Sequence, residues 1–265
     1  MWHGVTGSAT VAGRLGSYRF VLRPKWLIGH LIVVATAVAF VNLGFWQLRR
    51  LDEKQNRNRV IDQQMRRPIT PLATLIGPAV AVDDPRIETI VNRRTRVSGH
   101  YDPAAEVLVR SRSLNGQAGY HVLTPLIEHG DLAVLVNRGW VPGPDSERTA
   151  PSGTVVVTGL VLATQRRGSI GPTDPTTGVL REMARSDIER VRRQYQGDLY
   201  PIIIQAGSTE PVPSLDLPIV LPPPTQDEGN HLSYALQWFS FTAIAILGWM
   251  ALLRRTASTE AKNEN

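Results

Sequence analysis

"WLIGHLIVVATAVAFVNLGFWQL", Trp26 to Leu48, runs for 23 residues without a side chain charged at pH 7. Coiled as an α-helix it would be about 34 Å long. The hydrocarbon core of a bilayer is about 30 Å thick. A second run, "HLSYALQWFSFTAIAILGWMALL", His231 to Leu253, repeats the length and the character. Both carry aromatic residues toward both ends: Trp26 and Trp46 in the first, Tyr234, Trp238 and Trp249 in the second. Interfacial belts have that arrangement. The expectation is a pair of transmembrane helices at residues 26–48 and 231–253, with the rest of the chain arranged around them.

Ala37-Val38-Ala39 has the shape of a signal-peptidase site, but the apolar run continues past it through Phe40, Val41, Leu43 and Phe45. An uncleaved anchor is the better reading. Residues 1–25 carry four basic groups and no acid, and the second run exits onto Arg254-Arg255. Both features predict cytoplasmic termini, in tails 1–25 and 254–265. Arg49, Arg50, Lys54, Arg57 and Arg59 argue the other way, but long segments translocate largely regardless of charge. The segment between the runs is then extracytoplasmic. A bacterial plasma membrane is expected, with the mitochondrial inner membrane as runner-up.

The net charge of +6 lies mostly in the tails; residues 49–230 hold 22 basic and 21 acidic groups. A nucleic-acid-binding domain concentrates positive charge on its folded part, so this balance excludes that class. The absence of cysteine removes disulfides, thiolate metal sites and thiol chemistry.

Residues 49–67 keep helical chemistry, with Glu53 and Arg57 one turn apart, and read as a stalk. A domain over 68–230 follows. Strand signals recur at 89–101, 106–112, 119–127, 131–141, 153–163 and 200–206, separated by short turns. Ser186 and Glu189 form a capping-box pattern for one helix, ended by Gly197. Residues 207–230 are proline-rich and read as an extended return. The expected fold is a membrane protein with two transmembrane α-helices flanking one extracytoplasmic α+β domain, its sheet mainly antiparallel or a partial barrel.

No phosphate-binding glycine loop, nucleophile elbow or zinc-protease helix is present. The six histidines are scattered. His100 and His121 fall in strands and His129 in a turn. His30 lies inside the first run, where an ionisable group is a functional candidate and a neutral, hydrogen-bonded imidazole the plainer alternative. His231 opens the second run and is either an interface anchor or an axial haem ligand. The two lie near opposite faces, roughly 25 Å apart, and cannot share one haem. "NRGW", Asn137 to Trp140, is either a strand end packed on the core or a charged-aromatic contact surface.

Three stretches together resemble the surfeit locus protein 1 family, assembly factors of cytochrome c oxidase. They are "LGFWQLRRLDEK" (Leu43 to Lys54), "VNRGWVP" (Val136 to Pro142) and "NHLSYALQWFSF" (Asn230 to Phe241), with "GYHVLTPL" (119–126) as a softer match. The resemblance covers about residues 20–255. It implies a non-enzymatic chaperone that receives, holds or helps insert haem a into oxidase subunit I; the alternative is a permanently bound accessory subunit. Implied partners are subunit I, a haem a synthase or respiratory supercomplex, and the lipid bilayer. Haem a would be a transient cofactor, with no tightly bound metal and no catalytic residue. The candidate haem contact is His231, with Trp46, Gln47, Tyr234 and Trp238 around it; Arg49, Arg138 and Trp140 are candidate partner contacts. Gln47 can hydrogen-bond at the depth of His231, so the first and last of these stretches are expected to be neighbours.

Overall fold

A computed structural model of the chain describes residues 18–263. Most of the expected N-terminal tail, with His3 and Arg14, lies outside the described residues, as do 264 and 265. The described residues divide into two compact units, 18–58 with 227–263 and 59–226.

The first unit is a pair of helices. Helix α1, Pro24–Arg66, begins with proline at its first position, where the missing N–H costs nothing. It runs without a break through the expected span and the expected stalk and stops before Pro68. The last helix of the chain, α5, is His231–Asn263 and carries the expected span well into the expected tail. Both helices are long and apolar enough to cross a membrane, which supports a membrane protein.

The less exposed positions of α1 include Trp26, His30, Val33, Ala37, Phe40, Gly44, Gln47 and Leu51. They alternate steps of four and three, the seam of a left-handed helix pair. On α5 the matching positions are His231, Ala235, Trp238, Thr242, Ala245 and Trp249. Contacts pair His30 with Trp249, Phe40 with Trp238 and Gln47 with His231, so the helices run antiparallel. Small residues set the spacing. A Cβ on Gly44 would come within 2.6 Å of the Phe239 ring, and one on Gly29 would strike Trp249. Close backbone approach is how helices associate in lipid, which supplies no hydrophobic drive between them. Away from the seam, Leu31, Ile32, Ile244 and Leu247 are exposed, a surface suited to hydrocarbon.

The second unit is a β-domain. Its strands are β1 (Thr70–Pro71), β2 (Arg94–Tyr101), β3 (Val107–Leu114), β4 (Gln117–His129), β5 (Leu132–Val141), β6 (Val155–Leu162), β7 (Glu182–Met183) and β8 (Asp198–Glu210). Three short helices intervene: α2 (Leu72–Leu75), α3 (Pro85–Glu88) and α4 (Ile188–Arg192). The sheet order is β1-β2-β6-β8-β5-β4-β3-β7, and β2 also pairs with β4. That pairing, His100 with Ile127 and Tyr101 with Leu126, closes β2-β6-β8-β5-β4 into a ring. Gly99 permits it, because a Cβ there would collide with the Ile127 carbonyl.

The sheet is mixed: five of its eight pairings are antiparallel, as expected, and three are parallel. β1–β2, β3–β7 and β5–β8 are parallel. The β5–β8 pair becomes possible because a long connection carrying β6 and α4 returns the chain in the same direction. β5 is buried on both faces: Val134 and Val136 point into the barrel core, Ala133 and Leu135 into a second core with Met183, Ile188 and Val191. The expected capping box at Ser186 is also corrected. Asp187 is the cap and accepts from the Arg190 amide at 3.2 Å, because the Ser186 backbone is engaged with Thr164 and Gln165.

Arg138 and Trp140 are not a contact surface, which corrects that expectation: they are 6% and 3% exposed. Arg138 donates to Glu106 at 3.1 Å and to the Thr149 carbonyl at 2.9 Å, and lies 5.3 Å from the Tyr101 ring centre. Glu106 also accepts from Arg148 at 2.7 Å and from the Thr124 hydroxyl at 2.8 Å. Burial lowers the Arg138 pKa, and the Glu106 charge opposes that. The Trp140 indole N–H donates to the Arg112 carbonyl at 3.2 Å, and its backbone bridges to Ile219 with two bonds of 2.8 Å. Gly139 between them has φ +139, and a Cβ there would strike the Ile219 carbonyl. "NRGW" is thus a structural knot that ties the proline-rich return to the barrel.

Removing one partner from a buried ion network strands the others. Glu106→Gln should cost about 3–5 kcal/mol, read as a lowered denaturant midpoint, whereas Arg148→Met, whose side chain is a quarter exposed, should cost much less. His121 supplies a pH test. Burial, and then the nearby Arg112, push its pKa from 6.5 down to about 4. The folded state therefore favours the neutral ring. That contribution is complete above pH 6.5 and is lost as pH falls toward 4. Discounted for partial exposure it is about 1–2 kcal/mol, and His121→Gln should flatten the stability profile in that window.

Candidate functional site

The helix pair places two histidines on its seam, at opposite ends. His30 and Gln47 are 17 residues apart on α1, roughly 25 Å along the helix. The two imidazoles are held in opposite senses. At one end the Trp249 indole N–H donates to His30 Nδ1 at 2.8 Å, and the rings meet edge-on with centres 5.2 Å apart. An indole nitrogen can only donate, so the lone pair of His30 Nδ1 is already used.

At the other end His231 Nδ1 lies 2.8 Å from Gln47 Oε1. An amide oxygen can only accept, so Nδ1 carries the proton. In the tautomer protonated on Nδ1, Nε2 then holds the free lone pair. A ligating histidine has this form, its second nitrogen donating to an oxygen that fixes the ring. The neighbour relation expected between the first and last of the quoted stretches is therefore present as a direct hydrogen bond between side chains 184 positions apart.

The turn entering α5 is fastened to α1 by further contacts. Glu228 accepts from Gln55 at 3.0 Å, and Asp227 accepts from the Gly229 amide at 2.8 Å. Gly229 has φ +69. Ala235, one turn into α5, is buried. None of these residues was singled out from the sequence. Gln55, Glu228 and Gly229 looked like ordinary stalk and loop polarity, and only the antiparallel register reveals their role.

The remaining candidates divide. Trp238 lies on the seam, its ring 5.3 Å from Phe40 and 5.9 Å from Phe241. Trp46 and Tyr234 are each half exposed, and neither meets another ring among the described residues. Arg49 is exposed at the end of the apolar stretch, with no ion pair among the described residues. Among the described residues no three His, Asp or Glu side chains converge to hold a metal ion. What the arrangement offers is one imidazole nitrogen, oriented by an amide, at the end of an apolar helix pair. It can accept a proton or ligate a metal that arrives already held by another scaffold.

Comparison with known proteins bears on the same elements. The SURF1 family model matches residues 34–243, from inside α1 to inside α5. An uncharacterized SURF1-like protein of Mycobacterium bovis is 30% identical over 234 residues, 86% of this chain and 83% of the relative. A SURF1-like protein of Caenorhabditis elegans is 25% identical across 87% of this chain and 76% of its own length. Surfeit locus protein 1 of Takifugu rubripes is 25% identical across 86% of this chain and 95% of its own length. The match takes in both apolar helices and the whole β-domain between them, and the chain belongs to the SURF1 family.

Proposed function

We propose that this protein is a non-enzymatic membrane assembly factor for cytochrome c oxidase, which receives, holds or helps insert haem a during maturation of subunit I. His231 is the haem contact, and haem a is cargo rather than a resident cofactor. The observation that carries this reading is the Gln47–His231 hydrogen bond, which leaves Nε2 as the available nitrogen. It distinguishes His231 from His30, whose acceptor nitrogen is taken by Trp249. A single imidazole suits a metal whose equatorial positions are already filled, as in an iron porphyrin. One protein ligand also suits a cargo that must be surrendered. Family membership supports the oxidase, and the exposed apolar faces of the helix pair support action within the bilayer.

Purified from cells that make haem a, the protein should carry haem with a histidine-ligated spectrum. His231→Ala should abolish that spectrum. Gln47→Leu, which removes the acceptor and frees the tautomer, should weaken binding by roughly tenfold. A haem-free protein that still supports oxidase assembly would refute the carrying role.

The proposed setting is a bacterial plasma membrane with both termini cytoplasmic. Exposed Arg254 and Arg255 where α5 leaves its apolar stretch, and Arg23 and Lys25 beside the start of α1, support that orientation. The β-domain is then extracytoplasmic. Because the chain has no cysteine, a single Ser113→Cys on an exposed edge should react with a membrane-impermeant maleimide on intact spheroplasts; protection until lysis would reverse the topology.

A further inference from the structure

The turn before α5 brings a cation beside the free imidazole nitrogen. A Cβ built on Gly229 would lie 3.5 Å from His231 Nε2 and Cδ2 and 3.6 Å from Lys54 Nζ. The ammonium and the imidazole thus lean over the same bare stretch of backbone. Lys54 is half-buried and, among the described residues, has no carboxylate within ion-pair distance. Its neighbours are committed elsewhere: Arg50 donates to Glu53 at 2.8 Å, Asn56 to Asp52 at 3.1 Å and Gln55 to Glu228 at 3.0 Å, while Asp227 takes the Gly229 amide. A glycine at φ +69 is explained by the turn alone. The turn does not explain why a cation without a carboxylate partner lies beside the seam imidazole whose Nε2 is left open by Gln47. An ammonium without a carboxylate partner is free to pair with an anion that arrives with the ligand.

We propose that Lys54 is the counter-cation for the cargo: it pairs with a carboxylate on the rim of the metalloporphyrin whose metal is contacted by His231. The recognised class is a metalloporphyrin with free carboxylates, held at two points, a nitrogen on the metal and an ammonium on the acidic edge. This inference rests on the reading of His231 as the metal contact. Lys54 is a binding residue with no part in any chemical step, and a side chain on residue 229 would occupy the space that the two groups share.

The test titrates the full-length protein in detergent with iron protoporphyrin and with its dimethyl ester, which keeps the metal but lacks the charges. The wild type should bind the free acid more tightly than the ester. Lys54→Gln should lose roughly tenfold in affinity for the free acid, the size of one charge-assisted hydrogen bond, and nothing for the ester. Lys54→Arg should restore the preference, which a variant that merely failed to fold could not do. His231→Ala should weaken both ligands and change the iron spectrum. If Lys54→Gln leaves free-acid affinity unchanged, or weakens acid and ester equally, the role given to Lys54 is wrong while that of His231 stands. If the wild type binds neither porphyrin, the inference falls together with the reading beneath it.

Discussion

The close approach of two helices that are far apart in the chain governs the candidate site. Gly29 and Gly44 let aromatic rings from the facing helix settle against backbone. In lipid the gain comes from packing and from the few polar groups that find each other. Two of the polar pairs on this seam involve a histidine, one toward each end. Register and chemistry are therefore coupled. A shift of one residue along the seam would separate Gln47 from His231 and leave two amphipathic side chains unpaired at membrane depth.

The β-domain solves a different problem. Its five-stranded ring is closed by a short pairing at Gly99, and its charged interior is neutralised by Glu106, which accepts from two arginines and a threonine. Motif residues that look like a recognition surface are consumed in that work. Arginine and tryptophan are favoured at interfaces because they combine apolar area with directed donors. The same properties let Arg138 stack on Tyr101 and let Trp140 bond the Arg112 carbonyl in the interior.

Much of the architecture was legible in the sequence because it follows from length and periodicity. Both long apolar helices, the helical continuation of the first, and six of the strands needed only uncharged runs or alternation. The pairing of β5 with β8 was hidden, since strand signals carry no direction and β5, buried on both faces, lacks alternation. The α4 cap was misplaced by one residue because Ser186 and Asp187 have similar capping chemistry and only the engaged backbone of Ser186 decides between them. At the site, Gln47 and His231 were legible because a polar residue at the edge of an apolar run needs a partner. Lys54, Gln55, Glu228 and Gly229 were not, because polar residues in a stalk or loop have water as a default partner and signal nothing until the register is known.

The order of synthesis gives the Gln47–His231 bond one more consequence. Gln47 and Lys54 emerge early, whereas His231 begins the last helix described. A chain that ends before α5 would display the amide and the cation but not the His231 imidazole, and the ring of strands closes only once β8 has been made. The Gln47–His231 pair is therefore completed only when α5 has been made, after every strand of the β-domain.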